Sequence, residues 1–244
     1  MSAHDDGPAA GPIRIAAAGD MHCHPQTRER TREAFARLDG EADLVLLAGD
    51  LTTHGEPEQA EVLAVLGNHD WHSNRAGELT AILEDAGVRM LDRDHATVCV
   101  GDVEVGVAGA KGFVGGFPGS HLPDFGEPLL REVYAETGRD VEALSAGLAA
   151  IRHCPVRIVL LHYAPIPGTL DGEPREIWTM LGSDRLAGPI AEHDPDLVLH
   201  GHAHHGTFEG RLEGVPVYNV AVPLMGRDFW VFEVEAVHRP LPVG

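Results

Sequence analysis

The sequence predicts one α/β domain that combines parallel strands with antiparallel hairpins. Short apolar runs recur along the chain with little strict alternation, as expected of strands that are covered on both faces. Helical patterns separate several of these runs, which is the chain order of βα units. Two β-rich runs that flank Gly101 and Asp102 instead predict an antiparallel hairpin.

Five apolar runs are the main predicted strands. They are IRIAAAGD (13–20), DLVLLAGD (43–50), VLAVLGNHD (62–70), VRIVLLHYAP (156–165) and DLVLHGHAH (196–204). Runs of this length, bounded by turn-forming residues, are typical of strands rather than of helices.

Three helices and three further β segments complete the prediction. The helices are predicted at 26–38, 75–87 and 127–153, and the β segments at 96–110, 206–222 and 229–235. The third helix is the clearest because one of its faces is apolar. That face carries Val141, Leu144, Leu148 and Ile151. Segments 111–127 and 165–175 are rich in Gly and Pro, so we expect them to be exposed loops.

The composition is that of a globular protein with a strongly acidic surface. The chain has 244 residues, of which 43% are hydrophobic, so it can bury a sizeable core. We expect residues 1–11 to be a flexible tail and residues 12–244 to be a single domain. The formal net charge is −20. Such a chain repels polyanions, so we do not expect it to bind long nucleic acids.

The cysteines and the first residues predict a cytoplasmic protein. Cys23, Cys99 and Cys154 lie far apart without CxxC spacing, as expected of reduced thiols. The chain starts without the features of a secretory signal, and no apolar run approaches the roughly 20 residues of a membrane span. We therefore expect no association with membranes, while the sequence leaves the oligomeric state open.

Metal-binding residue types follow all five main strands. They are Asp20 and His22, then Asp50, then Asn68 with His69 and Asp70, then His162, and finally His202 and His204. Ligands of open α/β sheets bind at the carboxyl ends of the strands, so we expect these side chains to converge. Taken singly, each has an ordinary explanation as a turn former, a helix cap or a core histidine. Five independent accidents at the same end of five strands explain the pattern less well than one site.

Imidazole, carboxylate and amide donors favour Mn, Fe or Zn. One cation takes roughly four to six ligands, whereas seven candidates are present. They are Asp20, His22, Asp50, Asn68, His162, His202 and His204. This number fits two ions that share a bridging carboxylate, an arrangement that activates water and neutralises a phosphoryl group. A structural zinc site is unfavoured because the cysteines are badly spaced, and the HExxH signature of a metalloprotease is absent from the sequence.

The motifs GDMHCH, GDLTTHG, GNHD, HYAP and GHAHH resemble, in this order, the pattern of calcineurin-like metallophosphoesterases. The resemblance spans residues 19–205 and implies a four-layer α/β/β/α sandwich with two mixed sheets. It also implies two divalent or trivalent metal ions (Mn, Fe or Zn) and one bridging hydroxide as nucleophile. Within the family, the compact chain with few insertions resembles the cyclic-nucleotide phosphodiesterase branch by analogy.

The resemblance implies a role for each residue of the motifs. Asp20, His22 and His204 would hold one metal, Asn68, His162 and His202 the other, and Asp50 would bridge them. His69 would protonate the leaving oxygen or stabilise its charge, and Asp70 would orient His69. A locally extended backbone would direct His202 and His204 to the same side. The connection over 51–61 is short for a parallel crossover and can misplace Asn68 and His69.

Two classes of function remain at this point. The first is a dinuclear-metal phosphohydrolase, a phosphodiesterase or phosphomonoesterase that acts on a small soluble phosphate ester. The alternative is a binding or scaffold protein that keeps the fold without catalysis. The presence of all seven ligand positions and of His69 favours the enzyme.

Overall fold

A computed structural model of the chain describes residues 11–23, 26–51 and 61–237. The strands in this part are β1 (Ile13–Ala18), β2 (Leu44–Ala48), β3 (Glu61–Val65), β4 (Val88–Met90), β5 (Asp94–Val100), β6 (Val103–Ala110), β7 (Val156–Leu161), β8 (Leu197–His200), β9 (Glu209–Leu212), β10 (Val215–Asn219) and β11 (Trp230–Val234). The helices are α1 (Arg28–Ala36), α2 (Ala76–Asp85), α3 (Pro128–Ala150), α4 (Trp178–Leu181), α5 (Ala187–His193) and α6 (Val222–Met225). Short 3-10 turns lie at His69–Trp71, Pro167–Leu170, Arg175–Ile177 and Asp184–Leu186.

The strands form two mixed sheets. The first has the order β11-β1-β2-β3-β4, with β11 antiparallel to β1 and the remaining neighbours parallel. The second has the order β5-β6-β7-β8-β10-β9, with β5 and β9 antiparallel at its two edges. The predicted α/β class with two mixed sheets is therefore confirmed. The predicted hairpin is β5 and β6, and its turn uses Gly101 at φ +57°.

Apolar packing joins the sheets to each other and to the helices. One buried cluster takes side chains from both sheets, including Leu46 and Val65 from the first and Ile158 from the second. A second cluster packs the opposite face of β1, β2 and β3 against residues that include Phe35 of α1 and Leu83 of α2. A third packs α3 and α5 on β6, β7 and β8. Leu144, Leu148 and Ile151 lie in this third cluster, as the apolar face of the predicted helix requires.

Two predictions of exposed loops were wrong in part, because residues 118–127 are mostly exposed but other residues of both segments are buried. Segment 111–127 has no helix and contains a single isolated bridge, at Gly116, but Gly112 and Val114–Phe117 are buried rather than exposed. The backbone there bonds to segment 179–184, which covers it. Segment 165–175 contains the 3-10 turn Pro167–Leu170, and Thr169 and Leu170 are buried. Gly and Pro content indicates irregular backbone, but it does not indicate whether another segment covers that backbone.

Several predictions fall outside the described residues. They concern most of the tail 1–11 and most of the 51–61 connection, and His24 and His54 next to the motifs also lie outside the described residues. The short connection does not misplace the strand that leads to Asn68 and His69. This strand, β3, pairs in parallel with β2 from Leu44↔Glu61 to Ala48↔Val65. Among the described residues, no helix is both long and apolar enough to cross a bilayer.

Candidate metal centre

The structure brings all seven predicted ligands together. The carboxyl ends of β1, β2 and β3 meet those of β7 and β8. His202 N–H donates to Asp20 Oδ2, and the ring of His162 contacts both Ala48 O and Asn68 Oδ1. Three overlapping sets of donor atoms result, and within each set one atom per residue lies within 4.8 Å of the others. The sets are Asp20, His22 and His204; Asp20, His162 and His202; and His22, Asp50 and His69.

Asp20 connects the first strand to both histidines of the GHAHH segment. Its Oδ1 lies 2.9 Å from Nε2 of His204, and its Oδ2 accepts the backbone N–H of His202 at 2.7 Å. The ring of His22 packs edge-on against that of His204, with 5.7 Å between the centroids. This side of the centre therefore offers one buried carboxylate and two half-buried imidazoles.

His162 and Asn68 form the other side. The fully buried His162 donates through Nδ1 to Ala48 O at 2.8 Å, so Nε2 carries the lone pair of the neutral ring. That Nε2 lies 2.8 Å from Asn68 Oδ1. His202 donates through Nε2 to Met180 O at 3.1 Å, which leaves its Nδ1 as the acceptor atom. The rings of His162 and His202 are 4.8 Å apart.

Asp50 lies between the two sides. Its Oδ2 is 3.8 Å from His22 Nε2 and its Oδ1 is 3.7 Å from His162 Nε2. Oδ1 also accepts the backbone N–H of His69 at 2.9 Å. Oδ2 is buried and has no hydrogen-bond partner within the part of the chain that the structure describes. A buried carboxylate oxygen without a donor is unfavourable, so it marks a place that suits a cation.

Burial and mutual repulsion control the charges of the centre. Burial, and then the charge of Asp20, raises the pKa of Asp50 to about 7. Burial lowers the pKa of His162 to about 3 and also lowers the pKa of His202, so both rings are neutral and able to bind a cation. Burial also acts to raise the pKa of Asp20, but its hydrogen bond to His204 and the nearby imidazoles outweigh burial, so this pKa is lowered.

The backbone at several of the predicted ligands is held in an unusual conformation. Eight described residues other than glycine have a positive φ, and four of them are Asp20 (56°), His22 (43°), Asp50 (55°) and His202 (70°). Left-handed conformations cost energy for residues with a side chain and concentrate at functional sites. The value at His202 also corrects the prediction of an extended segment. The chain turns there because His202 N–H bonds to Asp20 and Ala203 N–H bonds to Gly201 O.

His69 and Asp70 lie on the 3-10 turn that follows Asn68. The side chain of His69 is exposed, and its ring lies 4.9 Å from that of His22. The buried carboxylate of Asp70 accepts the backbone N–H groups of Asp50, Leu51 and Gly67. Asp70 therefore fixes the loops that carry Asp50 and Asn68, while its predicted action on the His69 ring stays a prediction.

Sequence reasoning missed two residues that hold the GHAHH segment. Glu173 Oε1 accepts the backbone N–H of His205 at 2.7 Å, and Asn219 Nδ2 donates to Ala203 O at 2.7 Å. Both side chains are buried. Glu173 lies in an irregular segment without a motif, so the sequence contains no signal that marks it. Asn219 is the last residue of β10, and the predicted ligands also lie at strand ends. This position is the one sequence signal that could have marked Asn219 as part of the site.

Other residues next to the motifs lie at the edge of the centre or away from it. Trp71 and His72 are exposed next to His69, as is His205 beside His204. Cys23 is buried, and its Sγ lies 3.1 Å from Thr31 Oγ1.

Comparison with protein families identifies one match, to the family described as calcineurin-like phosphoesterase, over residues 13–206. This range contains every predicted ligand. A comparison with curated proteins finds no match.

Solved structures with the same fold come from several organisms. Phosphopantetheinyl hydrolase from Mycobacterium tuberculosis is 14% identical with a TM-score of 0.67, over 96% of this chain and 99% of that one. A putative 5′-nucleotidase from Staphylococcus aureus is 14% identical with a TM-score of 0.56, over 93% and 55%. GAP50, described as the anchor in the inner membrane complex of Plasmodium, is 11% identical with a TM-score of 0.54, over 88% and 73%. At these identities the likeness extends to the fold alone.

Proposed function

This chain belongs to the calcineurin-like phosphoesterase family, and on that premise we propose that it hydrolyses esters of phosphate with small organic compounds, using two metal ions. The observation that carries the proposal is the convergence of oxygen and imidazole donors from five strand ends into three overlapping sets. Mn, Fe and Zn are the cations that this donor chemistry suits.

Two features of the centre support cation binding independently of the family. Asp50 Oδ2 is buried without a hydrogen-bond partner among the described residues. In addition, Nε2 of neutral His162 carries a lone pair and lies only 2.8 Å from the side-chain amide oxygen of Asn68, so both groups can bind the same cation.

The contacts suggest which side chains would hold which ion. We assign Asp20, His22 and His204 to the first ion and Asn68, His162 and His202 to the second. Asp50 is assigned to both, because it lies at nearly equal distances from His22 and His162. Two cations so held would generate a nucleophile from water at neutral pH and neutralise charge on the phosphoryl oxygens.

The remaining groups of the centre would place the substrate and move protons. The side chain of His69 is exposed beside the centre, and its backbone N–H is bonded to Asp50 Oδ1. In this position its ring would donate a proton to the leaving oxygen of a bound ester. Asp70 would keep this turn in place through the three amide groups that it accepts.

Turnover of bis-p-nitrophenyl phosphate and p-nitrophenyl phosphate, with and without Mn²⁺, tests the proposal, together with metal analysis of the purified protein. We expect Mn-dependent release of nitrophenol, and the ratio of the two rates gives the preference between diester and monoester. The His69→Ala variant should bind Mn²⁺ like the parent and lose about 10²–10⁴-fold in kcat. The His95→Ala variant, which removes an exposed imidazole on β5, is the matched control and should keep the parental rate.

The scaffold alternative gives the opposite result in the same experiment. One protein of this fold is described as an anchor, so the fold alone does not require catalysis. A chain that binds Mn²⁺ at these residues but turns over neither ester, at any pH from 5 to about 9, would support a binding role and contradict the hydrolase.

A further inference from the structure

One short segment beside the metal centre presents apolar side chains to solvent. Residues 175–181 form a 3-10 turn followed by α4, and the segment buries Trp178 and Leu181. Its other two large apolar side chains face outward, since Ile177 is 41% exposed and Met180 is 58% exposed. We call Ile177 and Met180 the apolar platform. They are three residues apart, so their side chains are neighbours on one helical face.

The platform lies next to a proposed metal ligand. The carbonyl oxygen of Met180 accepts the Nε2–H of His202 at 3.1 Å. The ring of His202 is in turn 4.8 Å from that of His162. The backbone of Met180 is therefore one hydrogen bond away from a proposed metal ligand, so the platform lies beside the proposed centre.

The platform is rigid, so its exposure is not the fraying of a loose segment. Four consecutive carbonyl groups, those of residues 179–182, each accept a hydrogen bond from another segment. The donors are the backbone N–H groups of Gly115, Ala164 and Gly116 and the imidazole of His202. Trp178 is further fixed by its indole N–H, which donates to Glu173 O, and by the guanidinium of Arg175 over its ring.

Single exposed apolar side chains are common on protein surfaces. Ile177 and Met180 differ from such residues because they lie beside the metal centre and on a rigid segment. Ligand sites combine apolar walls with a few polar groups at the reacting end, and a preformed wall binds without a cost of ordering. In this protein the metal centre supplies the polar groups of such a site, and the platform supplies an apolar wall beside them. Trp71, two residues after His69 and 46% exposed, is a second apolar side chain at the centre.

We propose that the apolar platform of Ile177 and Met180 binds an apolar alkyl or aryl group attached to the phosphate, so that esters of apolar alcohols are preferred over small hydrophilic ones. This inference rests on the proposed function, because it needs a phosphate group held at the cations.

Alkylphosphonates test the inference without turnover, since their carbon–phosphorus bond does not hydrolyse. Titration calorimetry on the Mn-loaded protein compares methylphosphonate with octylphosphonate. A fully buried methylene group contributes a factor of about four to affinity, so burial of even part of the chain should make octylphosphonate at least tenfold tighter. The Met180→Ser and Ile177→Ser variants should lose most of this ratio and bind methylphosphonate like the parent. Ile82→Ser is the matched control, because Ile82 is 49% exposed on α2, which carries no site residue, and it should keep the full ratio.

The outcomes separate this inference from the proposed function. The inference is overturned if octylphosphonate binds no tighter than methylphosphonate to a parent that turns over nitrophenyl esters, which leaves the hydrolase intact. It is also overturned if both platform variants keep the parental ratio. If the parent binds neither phosphonate nor Mn²⁺, the proposed function fails and the inference fails with it.

Discussion

Replacing Gly67 by alanine should weaken metal binding at least about 100-fold while the chain still folds. Gly67 precedes Asn68 and lies against Asp50. A Cβ atom at this position would lie 2.0 Å from Asp50 Oδ1 and 2.5 Å from Asp50 N. Real Cβ contacts are essentially never shorter than 3.0 Å, so the carboxylate must move by about 1 Å or more. The proposed bridging ligand is thereby displaced from its place between His22 and His162.

The magnitude follows from the contacts that the displacement breaks. Asp50 Oδ1 accepts the backbone N–H of His69, and leaving that donor unpaired costs about 1–3 kcal/mol. Forcing an extra carbon atom into a packed site costs about 1–3 kcal/mol more. Domains are stabilised by about 5–15 kcal/mol, so a domain near the middle of that range stays folded after a loss of roughly 2–6 kcal/mol. Since disturbing even supporting groups of a metal site costs about 10–100-fold in affinity, we expect the displaced ligand to cost at least 100-fold.

Titration calorimetry of metal-free protein with Mn²⁺ measures this effect, and urea unfolding measures the stability. Gly77→Ala is the matched control, because Gly77 lies in α2 with no atom within 4 Å of the new Cβ. This control should bind Mn²⁺ like the parent and gain up to about 1 kcal/mol in stability from helix propensity. Parental Mn²⁺ affinity in a folded Gly67→Ala protein would refute the assignment of Asp50.

Three further predictions concern stability, measured by urea unfolding of the metal-free protein. Asp70→Asn should lose about 1.5–3 kcal/mol, because one carboxylate oxygen that accepts amide hydrogens becomes an NH₂ donor, and unchanged stability would argue against its role. Burial lowers the pKa of His200 to about 4, below the value near 6.5 of an unfolded chain, so its effect on stability is absent above pH 6.5 and grows as the pH falls. The parent should therefore lose about 2 kcal/mol more than His200→Gln between pH 7 and pH 5, and parallel curves would contradict this. Leu148→Ala should cost about 2–5 kcal/mol because Leu148 is fully buried on the apolar face of α3, and a smaller loss would mean that the helix packs loosely.

The sequence was a good guide to the elements that have strong periodic signals. The five apolar runs became β1, β2, β3, β7 and β8, and the apolar face of 127–153 became the packed face of α3. These signals reflect burial, which acts on every turn of a helix and on every residue of a covered strand. The short strand β4 and the short helices α4 to α6 were not predicted, because three to seven residues contain too little periodicity.

The candidate site was predictable as a set of residues and not as a geometry. Parallel strands bring their carboxyl ends to one edge, so the position of a donor after a strand was enough to predict that donors converge. The bend at His202 depends on a hydrogen bond to Asp20, which is 182 residues away in the chain. Contacts of that range, like those of Glu173 and Asn219 with the same segment, leave no local pattern. The sequence did not indicate the apolar platform for the same reason. Its position beside the centre depends on the hydrogen bond between His202 and Met180 O.

Anomalous diffraction from crystals of the Mn-loaded protein tests the central claim most directly. We predict two anomalous peaks, one in contact with His22 and His204 and the other in contact with His162 and His202, with Asp50 touching both. A single peak, or manganese bound elsewhere while these side chains bond only to one another, would contradict the claim that this centre holds a pair of cations.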